Sequence, residues 1–161
     1  MLELYLLRHG KATKFTDEST DFERHLNKQG TAQINQIGYR LKKEFPNIGQ
    51  IISSKAQRTT ETSEIVNFYL ELPKINFLDD LYLANHLKIL NTLNEFGKAK
   101  KLLYVGHNNG ISDLASYLSG ERILMSTGEL VVLEFDLENW NALSQETGKI
   151  VHQIQPKIKS F

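Results

Sequence analysis

Short apolar runs alternate with longer segments of helical periodicity along this sequence, and that alternation limits the fold more than any other feature. An apolar run of about five residues that stops at a glycine or a polar cluster is typical of a buried strand. Apolar residues that recur every three or four positions are typical of one face of a helix. The predicted strands are 2–7, 50–54, 74–78, 101–105, 130–135 and 149–154, and the predicted helices are 28–45, 56–70, 87–96 and 111–118.

This order of elements predicts an α/β fold. Strands that alternate with helices form a largely parallel sheet, and the helices cover both of its faces. We therefore expect a three-layer sandwich with a mostly parallel central sheet. The length of 161 residues fits one domain, and Pro46, Pro73 and Pro156 fall at element boundaries, so a single domain over 1–161 is expected.

A polar segment, 11–27, follows the first predicted strand and shows no clear periodicity. A loop of this length inside a small domain is often functional. Two interpretations stay open: the segment covers a site at the end of that strand, or it is a mobile surface loop.

Composition excludes several classes of protein. The 19 Lys and Arg residues balance the 19 Asp and Glu residues, whereas a nucleic-acid-binding face is usually strongly basic. The chain has no Cys, which excludes a disulfide, a thiolate nucleophile and a thiolate metal site. The start of the sequence lacks the pattern of a signal peptide, and no apolar run approaches the ~20 residues that span a bilayer. We expect a cytoplasmic protein with no nucleic-acid or membrane partner.

Histidine and arginine side chains follow three of the predicted strands. Arg8 and His9 end the first strand, His107 ends a later one, and Arg58 lies in the first turn of the helix that follows another. Because ligands of parallel α/β sheets bind at the carboxyl ends of the strands, we expect these four side chains to meet at one sheet edge. Arginine supplies paired donors for oxyanions, and neutral histidine can attack phosphorus. The pattern therefore favours a phosphoryl group as the ligand.

Each of these residues alone has an ordinary structural explanation. A histidine at a strand end is more often a surface or hydrogen-bonded residue than a catalyst, and a single arginine near a helix start is usually solvated. The combination is informative because it needs all of the residues at one edge in this order. No acidic residue lies in the three strand-end motifs, so we expect a locally positive pocket, with no certain carboxylate to oppose it, inside a neutral chain.

Five segments of the sequence resemble motifs of the histidine phosphatase superfamily. Leu7-Arg8-His9-Gly10-Lys11-Ala12 is similar to its opening motif, and Tyr104-Val105-Gly106-His107-Asn108 is similar to its second histidine motif. The others are Asp21, Arg24, Leu26, Gly30 and Ala32 around the start of the first helix, the Ser-x-x-x-Arg-x-x-x-Thr region within 53–62, and Ser126-Thr127-Gly128. The short length, the Lys-Ala after the first motif and the Gly-His-Asn form resemble the SixA-type phosphohistidine phosphatase branch.

The resemblance implies a phosphoglycerate mutase-like fold and a histidine nucleophile. His9 would attack phosphorus and form a phosphohistidine intermediate that water then hydrolyses. Arg8, Arg58 and His107 would surround the phosphoryl group, with Asn108 as a further phosphate-binding residue. The implied reaction uses no cofactor and no metal ion.

The general acid distinguishes two enzymatic interpretations. Phosphomonoesterases of this superfamily protonate the leaving oxygen with an Asp or Glu, and in one branch that acid directly follows the second histidine, where this chain has Asn108. In another branch it lies after the middle strand, which makes Asp79 and Asp80 the candidate general acids here. Adjacent acids at a strand end are, however, usually solvated or capping groups. A protonated imidazole is a good leaving group, so a missing acid favours phosphohistidine as the substrate.

The expected function is therefore a metal-independent hydrolase that removes phosphate from phosphohistidine in a protein. The expected partner is a phosphorylated protein, such as a phosphohistidine-carrying signalling or phosphotransfer protein, or a small phosphorylated molecule. Two alternatives stay open. One is a phosphomonoesterase or mutase of the same superfamily that acts on a small metabolite, and the other is a non-catalytic phosphate-binding module.

Overall fold

Six strands form one sheet in the computed structural model, which describes residues 1–157. The strands are β1 (Leu2–Arg8), β2 (Gln50–Ser54), β3 (Asn76–Leu78), β4 (Lys101–Gly106), β5 (Leu130–Phe135) and β6 (Gly148–Ile154), in the order β3-β2-β4-β1-β5-β6. The first four are mutually parallel, and β5 runs antiparallel to both of its neighbours. The predicted mostly parallel sheet is confirmed. The end of the predicted domain, at residue 161, lies outside the described residues.

Four helices in the described part of the chain cover the two faces of this sheet. They are α1 (Lys28–Glu44), α2 (Gln57–Leu70), α3 (His86–Phe96) and α4 (Gly110–Ser119). Buried residues of α1 and α2 pack against one face, and those of α3 and α4 pack against the other. The three-layer sandwich is confirmed. None of the helices within residues 1–157 is both long enough and apolar enough to cross a membrane.

Both faces of the central strands are buried, which explains their continuous apolar sequence. Along β1, Leu4 and Leu6 belong to the core beneath α3 and α4, whereas Tyr5 and Leu7 belong to the core beneath α1 and α2. All four side chains are fully buried. A parallel sheet that is covered on both sides has this pattern. Polar side chains of these strands can therefore reach solvent only at the strand ends.

Local sequence signals set the ends of the helices. The Asn27 side chain caps α1 by accepting a hydrogen bond from the Gly30 amide at 2.8 Å, and Asn85 caps α3 in the same way. Pro46 follows α1 closely and cannot continue it. Gly120, with a φ of 76°, ends α4 in the left-handed conformation that glycine adopts without strain.

The predicted elements differ from the observed ones mainly at their ends. The strand expected at 74–78 is shortened, because only Asn76–Leu78 pair with β2 at the edge of the sheet. The helix expected at 111–118 begins one residue earlier, at Gly110. Short 3-10 turns are absent from the prediction because they are too brief to show a periodicity; they are Asp21–Glu23, Asp79–Leu81 and Trp140–Ala142.

Gly30, in the first turn of α1, packs against the backbone just beyond the end of β1. A Cβ added there would overlap the carbonyl oxygen of Lys11 and lie 2.7 Å from its amide nitrogen. In an open helix Gly→Ala is stabilising by about 0.5–1 kcal/mol. Here we expect Gly30→Ala to lower the free energy of unfolding by roughly 1–3 kcal/mol, because the clash is with main-chain atoms. Denaturant titration measures this change.

Gly49→Ala is the matched control for this substitution. Its added Cβ would meet the side chain of Ala99 at 3.1 Å, where a small shift relieves the contact. The free energy of unfolding should then change by less than about 1 kcal/mol. A Gly30→Ala protein as stable as its parent would contradict the close packing of α1 on the segment after His9.

Candidate active site

The carboxyl ends of three neighbouring strands meet at one edge of the sheet. β1 pairs in parallel with β4, with Arg8 opposite Gly106, and β4 pairs in parallel with β2 on its other side. His9 directly follows β1, His107 directly follows β4, and α2 begins shortly after β2. The register of the sheet therefore places the two histidines next to each other.

These strand ends border a cavity of about 490 Å³. The structure brings together five residues that the sequence singled out, since Arg8, His9, Arg58, His107 and Asn108 all line this cavity. Loop residues complete the lining: Lys11, Ala12, Asp21, Arg24, Leu83 and Thr127. A cavity of about 680 Å³ lies elsewhere, between α1 and α2, and its lining includes none of the predicted site residues.

The His9 imidazole has a defined tautomer. Its Nδ1 lies 2.7 Å from the carbonyl oxygen of Gly10, which can only accept, so Nδ1 carries the proton and donates it. Nε2 is therefore unprotonated, and it accepts a long hydrogen bond from Arg58 Nε at 3.4 Å. A neutral imidazole with an unprotonated nitrogen facing a cavity can act as a nucleophile.

The His107 ring lies beside His9, with 5.4 Å between the two ring centroids. Its Nε2 lies 2.8 Å from Ser54 Oγ, and its buried Nδ1 has no hydrogen-bond partner within residues 1–157. The Tyr82 ring packs edge-on against it at 5.5 Å between centroids. His107 is thus held in place by neighbours on one side, and one ring nitrogen is left for a ligand.

Burial keeps both histidines neutral. Desolvation lowers the pKa of His9 to about 4; the hydrogen bond to Gly10 opposes this effect, and the charges of Arg58 and Arg8 add to it. Desolvation also lowers the pKa of His107 to about 3, with further contributions from His9 and Arg58. Both imidazoles are uncharged at neutral pH.

Arg58, in the first turn of α2, is 3% exposed and has a fixed orientation. Its Nη1 donates to the main-chain oxygen of Asp21 at 2.7 Å, and its Nη2 donates to the Asp21 carboxylate at 3.0 Å. The guanidinium also lies 5.9 Å from the centre of the Tyr82 ring. These contacts hold the guanidinium beside His9 and leave N–H groups on both terminal nitrogens for another acceptor.

Arg8 supplies a second cation to the cavity. Its Nη1 donates to the carbonyl oxygen of Met125 at 2.8 Å, and its buried Nε has no partner in the described part of the chain. Desolvation and the Arg58 charge lower the pKa of Arg8, and the Glu129 carboxylate partly offsets them. The arginine remains charged, because its ordinary pKa is far above neutrality.

A carboxylate that the strand-end motifs do not contain, that of Asp21, lines the cavity. Its carboxylate accepts hydrogen bonds from Arg58, from Arg24 at 2.9 Å and from the Tyr82 hydroxyl. Desolvation opposes its ionisation, but the hydrogen bonds from Tyr82 and Arg24 and the Arg58 charge hold the pKa of Asp21 well below its usual value. Asp21 is therefore ionised at neutral pH and has no proton to donate.

Asp21, Arg24 and Tyr82 are not among the candidate site residues that the sequence predicts, and the sequence carries only a partial signal for them. Asp21 and Arg24 lie in one of the segments that resemble the superfamily, but their contact with Arg58 depends on the path of the loop. Tyr82 follows the 3-10 turn Asp79–Leu81 and belongs to no recognisable motif. Only the fold brings these side chains to the strand ends.

The structure does not bring the candidate general acids Asp79 and Asp80 to the histidines. The Asp79 side chain is 78% exposed and lies 3.8 Å from Lys55, and the Asp80 side chain is 75% exposed and lies 3.1 Å from Lys88. Both carboxylates point to solvent from a 3-10 turn whose apolar residue, Leu81, is buried. Neither lines the cavity.

The 11–27 segment forms one wall of the cavity. At its base Ala12 pairs with Leu26 in an antiparallel bridge, and the Thr13 amide donates to the carbonyl oxygen of His25 at 2.8 Å. Asp21 then attaches the segment to Arg58. Of the two interpretations that the sequence leaves open, the structure favours the one in which this segment borders the site.

The polar groups around the cavity are mainly donors. Two arginines lie beside His9 and His107, and the one lining carboxylate, Asp21, is already bonded to three donors. No group of three or more His, Cys, Asp or Glu side chains in residues 1–157 is arranged to hold a metal ion. A cavity with this set of donors suits a phosphate-like oxyanion.

Sequence comparison shows which family the chain is similar to. The family described as the histidine phosphatase superfamily (branch 1) matches residues 4–82, which include Arg8, His9 and Arg58. The expected resemblance of this chain to the histidine phosphatase superfamily is confirmed over these residues. An uncharacterized chloroplastic protein of Arabidopsis thaliana is 27% identical to it over 151 residues, which cover 85% of this chain and 68% of that protein.

Solved structures of SixA proteins share the fold. A structure assigned as the phosphohistidine phosphatase SixA of Agrobacterium tumefaciens matches with a TM-score of 0.83 at 23% identity, over 96% of this chain and 98% of that chain. The protein histidine phosphatase SixA in complex with tungstate matches with a TM-score of 0.80 at 22% identity, over 96% of this chain and 97% of that chain. The expected likeness to SixA-type members of the superfamily is confirmed at the level of the fold.

The two buried histidines should remain neutral far below pH 6.5. In NMR titration we expect the ring protons of His9 and His107 to keep their neutral-form positions from pH 7 to about pH 5. The unfolded chain takes up these protons near pH 6.5 and the folded chain does not, so the free energy of unfolding should fall as the pH drops from 7 towards 4.

His107→Asn removes one of the two groups and therefore checks the sign of this effect. The free energy of unfolding of this variant should fall less steeply with decreasing pH than that of the parent. Between pH 6 and pH 4 the difference in slope should reach up to about 1.4 kcal/mol per pH unit. Ring signals that titrate with a midpoint near 6.5 would contradict the burial of these histidines.

The charge of Asp21 should hold the 11–27 segment against the cavity. Asp21→Asn removes the charge that faces Arg58 and Arg24, so the segment should open more often. We expect about tenfold faster hydrogen exchange at the Thr13 amide, measured by NMR or mass spectrometry. Asp17→Asn, at an exposed position of the same segment, is the control and should leave the rate unchanged. Equal rates in the parent and Asp21→Asn would show that the charge does not hold the segment.

Proposed function

We propose that this protein is a phosphatase that uses His9 as its nucleophile and hydrolyses phosphohistidine in a protein substrate. One observation carries the proposal: the unprotonated Nε2 of His9 faces a cavity that Arg8, Arg58 and His107 also line, and the two arginines supply cationic N–H donors there. A nucleophile among fixed donors suits transfer of a phosphoryl group.

Stabilisation of the transferred group is the main task of such a site. In the transition state the charge of the transferring phosphoryl group is spread over its oxygens, so catalysis depends on positioning and electrostatics. At an effective dielectric constant near 20, one charge pair ~4 Å apart contributes roughly 4 kcal/mol. This energy corresponds to a rate increase of about three powers of ten when the charge pair forms only in the transition state. Arg8 and Arg58 each supply one such charge, and Asn108 is a further phosphate-binding residue.

The reaction proceeds in two displacements. His9 Nε2 forms a bond to phosphorus while the bond between phosphorus and the imidazole nitrogen of the substrate breaks, and that imidazole leaves with the electron pair. The proton on His9 Nδ1 stays in its hydrogen bond to Gly10. Water then attacks phosphorus, the bond to Nε2 breaks, and orthophosphate leaves with His9 restored.

The state of the lining carboxylate supports a phosphoramidate substrate. An alkoxide leaving group needs a proton from the enzyme, and Asp21 is ionised and bonded to three donors. The imidazole of phosphohistidine can be protonated on its other nitrogen in solution, so it leaves as a neutral ring without help. The fold likeness to a protein described as the protein histidine phosphatase SixA supports this substrate class.

Trapping of the phosphoenzyme tests the nucleophile. After rapid mixing with a peptide that carries labelled phosphohistidine, we expect an acid-labile label on His9. His9→Ala should lose the label and at least about 10³-fold in turnover while it still binds orthophosphate, and Arg58→Ala should weaken both turnover and binding. His152→Ala, on the distant strand β6, is the control and should behave like the parent. Near-normal turnover by His9→Ala would overturn the assignment.

A comparison of substrates tests the leaving group. We expect kcat/KM for a phosphohistidine peptide to exceed that for a sugar phosphate by at least about 100-fold, because the sugar alkoxide lacks a proton donor. Higher activity on the sugar phosphate would identify a phosphomonoesterase instead. Saturable orthophosphate binding with no label on any histidine would identify a non-catalytic phosphate-binding module.

A further inference from the structure

Ser54, the last residue of β2, contacts His107, although Ser54 itself is not among the residues that line the cavity. It is fully buried, and its Oγ lies 2.8 Å from His107 Nε2. The distance alone does not say which atom carries the shared proton, because both a hydroxyl and an imidazole can donate or accept. The surroundings of Ser54 decide this question.

The Ser54 hydroxyl has one proton and needs one acceptor. Its other hydrogen bond within residues 1–157 is one that it accepts, from the Ala56 amide at 3.4 Å. If His107 Nε2 donated to Oγ, the hydroxyl proton would be buried without an acceptor, which is unfavourable. Ser54 therefore donates, and Nε2 of His107 accepts.

The proton of a neutral His107 must then lie on Nδ1. That nitrogen is buried and has no partner among residues 1–157, and the His107 ring lines the cavity next to His9. An N–H at this position can donate to an oxygen of a bound phosphoryl group. The opposite tautomer would present a lone pair to that oxygen and repel it.

We propose that Ser54 is a positioning residue that fixes His107 as the Nδ1–H tautomer and so makes it a neutral donor to the phosphoryl group. The inference rests on the proposed function, since it gives His107 a role in that reaction. It does not depend on whether the substrate is a phosphoramidate or a phosphomonoester.

The charges around His107 make this arrangement specific. Arg58, Arg8 and His9 face it from neighbouring elements, and Asp21 is the one carboxylate among the groups that act on it. A doubly protonated His107 would add a third cation to this group and would leave the Ser54 proton without an acceptor. The tautomer fixed by Ser54 provides a donor without an added charge.

Nitrogen-15 NMR of the imidazole rings tests the tautomer directly in the wild-type protein. We expect His107 Nδ1 to show the shift and coupling of a protonated nitrogen and Nε2 those of an unprotonated one. In Ser54→Ala the two signals should move towards the averaged values of a tautomer mixture. A wild-type His107 that is protonated at Nε2 would overturn the proposal whatever the variants do.

Ser53→Ala is the matched control, because Ser53 is the neighbouring buried serine of the same strand. Its Oγ donates to the main-chain oxygen of Ser54 at 2.8 Å, so it contacts no histidine. The variant should keep the wild-type nitrogen shifts of His107. Should Ser54→Ala fail to fold, Ser54→Cys replaces it, since a thiol is a much weaker donor in nearly the same volume.

A double-mutant cycle tests whether Ser54 acts through His107. Ser54→Ala should lower kcat on a phosphohistidine peptide by about tenfold, less than the loss expected for removal of a whole donor. In the His107→Ala background the same substitution should change kcat by less than about twofold. Equal effects in both backgrounds would overturn the proposal.

Orthophosphate binding separates failure of this inference from failure of the proposed function. A protein that hydrolyses no phosphohistidine would refute the function, whereas the NMR shifts and the orthophosphate affinity would still decide the role of Ser54. We expect Ser54→Ala to weaken orthophosphate binding severalfold. Normal hydrolysis and an unchanged affinity in Ser54→Ala would refute this inference alone.

Discussion

The parallel pairing of β1, β4 and β2 is the constraint on which the site depends. Helices bury both faces of these strands, so their side chains are apolar along most of their length. Polar side chains of these strands can therefore reach a ligand only at the strand ends. Because Arg8 stands opposite Gly106 in the register, the residues after these two ends, His9 and His107, become neighbours without any contribution from a loop.

Electrostatics explains why a loop is nevertheless required. Arg58 is almost fully buried, and a buried guanidinium without a partner is strongly unfavourable. Asp21 supplies that partner from the 11–27 segment, and Tyr82 adds a hydrogen bond to the same carboxylate. The same contact between Asp21 and Arg58 therefore attaches the segment and orients the guanidinium. The carboxylate stabilises the cation while other N–H groups of the guanidinium stay available to an oxyanion.

The strand ends could be predicted from the sequence because they depend on patterns that are local in the chain. Apolar runs that stop at Arg8-His9-Gly10 and Gly106-His107 carry both the element and the position of its end. The contact of Asp21 with Arg58 depends on the path of a loop, and no local pattern encodes it. Tyr82, shortly after Asp79 and Asp80, does reach the site, but the sequence carries no information on side-chain direction, and both carboxylates face solvent.

Two histidines that each directly follow a buried parallel strand acquire opposite chemistry from their neighbours. The Gly10 carbonyl can only accept a hydrogen bond, so His9 keeps its proton on Nδ1 and presents a lone pair at Nε2. Ser54 has a proton to donate, and in the tautomer that we infer for His107 the ring presents an N–H at Nδ1. A nucleophile and a donor therefore stand side by side, and neither carries a charge. Burial, which lowers the pKa of both rings, is what allows one carbonyl and one hydroxyl to make this distinction at neutral pH.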